Sequence, residues 1–327
     1  MTLLQVENLQ VEFKTRDGIV EPLSGISFDV KAGEILGLVG ETGSGKSVTA
    51  QAIMGLLPLL DGRISSGRII FEGQDLGSIS EKEYQKLRGN KISLISQNPM
   101  TSLDPVYRVG DQIVEGLMLH MKISRADAQK KAVDVMTSLR IPNADKVFFQ
   151  YPHQLSGGLK QRIVIAMGLC ADPKLLIADE PTTALDVTVQ AQIIELFKET
   201  IRKRHIGLIM ITHDLGVISH LCDTVAVMYA GNVVETGRVE SVFKAPEHPY
   251  TGALLNCIPT LGMEERSLNV IPGNVPSVQT FPSGCRYHPR CPDAKPCCMK
   301  ESPINIQLTN DTNIKCHKFS PQWRADS

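Results

Sequence analysis

Residues 40 to 47 read Gly40-Glu41-Thr42-Gly43-Ser44-Gly45-Lys46-Ser47, the pattern G-x-x-x-x-G-K-[ST]. They stand between the apolar run Ile35-Leu36-Gly37-Leu38-Val39 and a helix-like stretch that begins near Lys46. No other feature of the chain restricts its fold as much. Strand, glycine-rich turn and helix in that order form the phosphate-cradling loop of α/β proteins that bind nucleoside triphosphates. Glycines let consecutive N–H groups converge on one concavity, and the helix adds the positive end of its dipole there. Lys46 then reaches the β- and γ-phosphates, and the Ser47 hydroxyl the Mg²⁺.

A chain of 327 residues, 42% of them hydrophobic, exceeds one average domain and can bury a substantial core. Its 34 basic and 35 acidic residues leave a formal net charge of -1, so no global field favours nucleic acid or anionic lipid. No run approaches the length of a membrane-spanning helix, and the opening Met1-Thr2-Leu3-Leu4-Gln5-Val6-Glu7 has neither the basic nor the long apolar region of a signal peptide. The expectation is a cytosolic chain that reaches a membrane only through partners. In that compartment the eight cysteines do not read as a disulfide framework, which leaves metal, redox chemistry or plain burial.

Leu9, Val11 and Phe13, then Ile26, Phe28 and Val30, alternate with polar residues, as antiparallel strands do. Residues 175–178 and 208–211 are continuously apolar, as expected of parallel strands covered by helices on both faces. Between Gln97 and Leu155 the spacing becomes helical, through Ile113, Leu117 and Leu119 and then Ala128, Ala132, Val135 and Leu139. After residue 245 come 11 of the 19 prolines and six of the eight cysteines, so this tail is expected to be mostly loop, held by something other than a large core.

A phosphate loop alone is compatible with kinases, GTPases, helicases and motors. Leu175-Leu176-Ile177-Ala178-Asp179-Glu180 adds a buried strand ending in two carboxylates, one suited to Mg²⁺ and the next to polarising an attacking water. Leu155-Ser156-Gly157-Gly158-Leu159-Lys160-Gln161-Arg162 opens an apolar helix whose two glycines bare its N-terminus to an anion. Together these segments resemble the ATP-binding cassette (ABC) family over at least residues 3–245. The resemblance implies an α/β fold: a RecA-like parallel core, an antiparallel β subdomain, a helical insertion and here a small Cys/Pro-rich C-terminal extension. It also implies that Ser156, Gly157 and Gly158 contact the γ-phosphate held by the opposing subunit, so that one chain cannot complete a site. Gln97 matches the family's Q-loop, which senses Mg²⁺ and water, Asp179 the Mg²⁺-binding carboxylate and Glu180 the catalytic one. Asp186 matches the D-loop, His213 the switch histidine, and Phe13 is the candidate for stacking on adenine.

Tyr151-Pro152-His153-Gln154, the stretch from Gln97 to Pro105 and His248-Pro249-Tyr250-Thr251 are similar to the dipeptide/oligopeptide/nickel importer branch. In that branch the ATPase pairs with a second cassette on two membrane permeases, fed by an extracytoplasmic binding protein. The resemblance therefore places the chain on the cytoplasmic face of the membrane. It divides the chain into a nucleotide-binding domain, residues 1–245 with a helical subdomain at about 98–170, and an extension at 246–327. Cys285, Cys291, Cys298 and Cys316 have five, six and seventeen intervening residues, a spacing that resembles the branch's [4Fe–4S] site. Zinc or unliganded thiols are the alternatives, and Cys297 could replace Cys298. Cys170, Cys222 and Cys257 lie in apolar contexts and read as small buried hydrophobes. A soluble cassette ATPase of translation or DNA repair, a redox sensor, a nickel cargo and a homodimer remain open on sequence.

Overall fold

The computed structural model describes residues 2–96, 99–182, 186–257, 270–308, 312–321 and 323. Its strands, in chain order, are β1 (Thr2–Thr15), β2 (Gly18–Lys31), β3 (Ile35–Val39), β4 (Gly62–Phe71), β5 (Gln74–Asp75), β6 (Ile92–Ile95), β7 (Leu175–Asp179), β8 (Gly207–Ile211), β9 (Thr224–Tyr229), β10 (Asn232–Arg238), β11 (Ile306–Gln307) and β12 (Asn313–Ile314). The chain divides into two compact units, residues 1–4, 30–35 and 72–211, and residues 5–29, 36–71 and 212–327.

In the first unit the unbroken apolar runs become parallel strands. β6 pairs with β7 from Ile92 opposite Leu175 to Ile95 opposite Ala178, and β7 with β8 from Leu175 opposite Gly207 to Asp179 opposite Ile211. Every residue of β8 and the first four of β7 are buried, because helical layers leave no solvated face for polar side chains to occupy. The helices Val109–Met121 and Arg125–Ser138 form the expected insertion and pack on each other and on the helix Gly157–Leu169. Their contact faces carry Ile113 and Leu117, then Ala128, Ala132 and Val135, with Leu139 buried just beyond. Leu119 departs from the expectation: at 71% exposure it faces solvent. Two residues on from Leu117, it is turned about 200° around the helix axis.

The second unit holds the phosphate loop and the C-terminal residues. β3, buried along its whole length, runs parallel to β9 with Leu36 opposite Thr224, and β9 turns back antiparallel into β10. β12 then pairs with β10, Glu235 opposite Ile314, and β11 with β12. The Cys/Pro-rich tail thus extends a sheet of the unit instead of lying on it as loop alone. β1 lies between β2 and β4 in a separate sheet. Its inward alternation changes phase at Asn8, whose φ of 46° moves the buried positions from Leu4 and Val6 to Leu9 and Val11.

Candidate nucleotide-binding site

Residues 40–47 leave β3 and enter the helix Lys46–Ile53. Gly40 has φ 150°, and a Cβ on it would lie 2.1 Å from the Met228 carbonyl oxygen; at Gly45, φ 105°, it would lie 2.6 Å from Leu23 Cδ2. No other residue fits either place. Ser44 is fully buried, and its carbonyl accepts the Gly231 N–H at 2.9 Å, which anchors the loop to the β9–β10 turn. Lys46 is 7% exposed; its Nζ donates to Gly40 O at 2.7 Å and Glu41 O at 3.0 Å. The helix that follows has Gly45 as N-cap and no side-chain cap, while Thr42, Gly43 and Ser47 are exposed. A glycine-lined turn, a converging ammonium and a helix start capped by no side chain fit a polyphosphate, with Lys46 and Ser47 as the groups that would hold it and its Mg²⁺.

In the first unit Ser156 caps the helix Gly157–Leu169, its Oγ accepting the Leu159 N–H at 3.4 Å. Gly157 is exposed, and a Cβ on Gly158 would stand 2.9 Å from Val189 Cγ1. The Val189 N–H in turn donates to Asp186 Oδ1 at 2.9 Å, where Asp186 caps the helix Val187–Arg204. The fold therefore brings the starts of these two helices together, Gly158 against Val189 in the first turn that Asp186 caps. Asp179 closes β7 opposite Ile211, and Glu180 adopts φ 46° while its N–H donates to Ile211 O at 2.8 Å. That left-handed turn takes the second carboxylate off the strand direction.

In the second unit His213 is exposed directly after Thr212, and Asp214 caps the helix Leu215–Leu221. Phe13 is half-buried, its ring lying where a Cβ on Gly62 would have to go, 2.6 Å from Cε1. Gln97 lies outside the described residues.

Two partners of the phosphate loop were not legible in the sequence. Arg290 forms a two-pronged ion pair with Glu41, Nη1 to Oε2 at 2.7 Å and Nη2 to Oε1 at 3.1 Å. The Glu41 N–H donates to Tyr250 Oη at 3.0 Å, and Tyr229 packs edge to face with both Tyr250 and Tyr287, whose rings are tilted to each other. Tyr250 belongs to the His248-Pro249-Tyr250-Thr251 motif, which signalled the segment but not its contact. His248 is buried, caps the helix Pro249–Asn256 through Nδ1, and is pushed down to about 3 by desolvation.

The expectation of a [4Fe–4S] cluster, or of zinc in its place, is corrected. Cys285, Cys291, Cys298 and Cys316 do line one cavity, yet among the described residues no group of three or more His, Cys, Asp or Glu side chains is placed to hold a metal ion. Spacing along the chain brings the segments together, with the Cys285 N–H donating to Cys298 O at 2.8 Å, without forming a metal's ligand set among the described residues. Of the other cysteines Cys170 is buried, while Cys222 and Cys257 are only half-buried.

The chain resembles known proteins over most of its length. The family model described as ABC transporter matches residues 23–183, and that described as Oligopeptide/dipeptide transporter, C-terminal region, matches residues 234–298. The chain is 46% identical to the dipeptide transport ATP-binding protein DppD of Bacillus subtilis, over 96% of its own length and 94% of that protein's. It is 49% identical to the oligopeptide transport ATP-binding protein OppD of Salmonella typhimurium, over 92% and 90%. Among solved structures, cbiO1 of Clostridium perfringens, part of the ABC transporter complex cbiONQ, superposes with a TM-score of 0.64 at 30% identity, covering 75% of this chain and 92% of that one. The chain belongs to the ATP-binding proteins of the ABC transporter family, in the branch that carries the oligopeptide/dipeptide transporter C-terminal region.

Proposed function

We propose that the chain hydrolyses ATP to drive the import of peptides, as one of two cassettes seated on a pair of membrane permeases at the cytoplasmic face, with an extracytoplasmic binding protein delivering the peptide. The observation that carries this reading is the phosphate loop, in which Lys46 converges with glycine backbone at a helix start that no side chain caps. Relatives named for dipeptide and oligopeptide transport support the cargo class. No described helix is long and apolar enough to cross a membrane.

In this reading residues 1–245 form the cassette and 246–327 its extension. Lys46 binds the β- and γ-phosphates, Ser47 and Asp179 hold Mg²⁺, and Gln97 adjusts to both metal and water. Mg²⁺ supplies charge neutralisation when bound. Glu180 orients or deprotonates the attacking water, and His213 steadies it. Phe13, whose ring packs against Gly62, stacks on adenine. Ser156, Gly157 and Gly158 act on the nucleotide of the partner cassette, with Asp186 capping the adjoining helix. Val106, Tyr107 and Phe149 are exposed apolar residues of the helical insertion, Arg108 lying over the Phe149 ring; they are the surface offered to a permease. Lys46→Ala tests the reading. An ammonium that pairs with phosphates in ground and transition states alike is lost, so ATP affinity falls by tenfold or more in a binding titration; unchanged affinity would remove the loop from its role.

A further inference from the structure

The phosphate loop carries a carboxylate of its own. Glu41 is its second residue, and a negative charge there lies within a Debye length of any triphosphate the loop holds. Left alone it would repel the ligand. The structure instead places the guanidinium of Arg290 against it with both prongs, at 2.7 and 3.1 Å, the arginine side chain being 5% exposed. Arg290 is itself fixed: Nε donates to Pro272 O at 2.8 Å, Nη2 to Ile271 O at 3.3 Å, and the group lies over the Tyr229 ring. The hydroxyl of fully buried Tyr250 accepts the Glu41 N–H, so side chain and backbone of one loop residue are both held by the C-terminal segment.

We infer that Arg290 is a positioning residue for nucleotide binding, which cancels the charge of Glu41 and, with Tyr250, keeps that carboxylate turned away from the phosphate concavity. A planar fork suits the task better than a lysine, because two parallel contacts fix direction as well as charge. The C-terminal segment then acts on ATP affinity without touching ATP. The inference rests on the reading that residues 40–47 hold the triphosphate.

Binding of Mg·ATP to the full-length chain, with thermal unfolding recorded on the same samples, tests it. Arg290→Gln lowers ATP affinity about tenfold, and adding Glu41→Gln restores it to within about threefold of the parent, since the charge that needed cancelling is gone. Tyr250→Phe keeps the buried ring, loses only the hydroxyl, and lowers affinity about threefold with little change in unfolding temperature. If Arg290→Gln fails to fold, Arg290→Lys keeps the charge and loses only the fork, so affinity falls about threefold through lost direction alone, and unchanged affinity overturns the inference. Lys46→Ala, measured alongside, separates two failures. Should it leave ATP binding intact, the phosphate-loop reading falls and this inference with it. Should it abolish binding while the Arg290 variants bind ATP normally, or while Glu41→Gln brings no rescue, the inference alone is overturned and Arg290 is only a tether.

Discussion

Burial governs the titration of His248: its imidazole is held neutral in the folded chain, about 3 against an ordinary 6.5. The unfolded chain takes up the proton first, so stability from this residue is fully present above pH 6.5 and is lost as pH falls towards 3. His248→Asn keeps a cap acceptor for the Tyr250 N–H but cannot titrate. Wild type should therefore lose unfolding temperature relative to His248→Asn between about pH 7 and about pH 4, as read by thermal denaturation. Glu235, which accepts the His248 N–H and whose carboxyl burial pushes up, contributes with the opposite sign in both proteins and cancels in the difference. A gap that stays constant with pH would show that His248 is hydrated. Residue types and spacing singled out Lys46, Asp179 and Glu180 as candidates, because phosphate and Mg²⁺ call for an ammonium after a glycine turn and for carboxylates at a strand end. They could not reveal Arg290, whose partner Glu41 lies 249 positions away.

Two leucines on one helix separate packing from exposure. Leu117→Ala removes a fully buried side chain from the contact with the neighbouring helices and should cost about 2–5 kcal/mol in denaturant unfolding. Leu119→Ala, on the solvated side, should stay within about 0.5 kcal/mol of wild type. Equal losses would mean that the helix is rotated from the orientation described. The sequence announced this helix but misassigned Leu119, since apolar residues two apart suit a loose count and not a 100° step. At the start of the helix Gly157–Leu169, Gly157 is exposed, so a bulky residue there is tolerated by the chain's own fold. Gly157→Trp should leave ATP binding of the isolated chain intact while blocking ATP-driven pairing with the second cassette, detectable by light scattering. Weakened ATP binding in the monomer would place that helix start at the chain's own nucleotide.

At the scale of the molecule, the parallel strands and helical insertion were legible because continuous apolar runs and 3.6-residue spacing report two-sided burial directly. The tail was legible only as composition. Its cysteines drew attention to metal, whereas what ties it to the rest of its unit is the β10–β12 pairing, the tyrosine cluster and the arginines, including Arg286 donating to Ala230 O at 2.5 Å. None of these has a local sequence signal, since each joins segments far apart in the chain. A chain that converts ATP hydrolysis into peptide import must couple the two, so that they rise and fall together. Vesicles containing the chain with its second cassette and permeases, supplied with binding protein and labelled peptide, allow hydrolysis and uptake to be followed together. Glu180→Gln should bind ATP yet lower hydrolysis by about two orders of magnitude or more, with uptake falling in step, as loss of a general base requires. Uptake that persists while hydrolysis is lost, or hydrolysis that survives the substitution, would contradict the account.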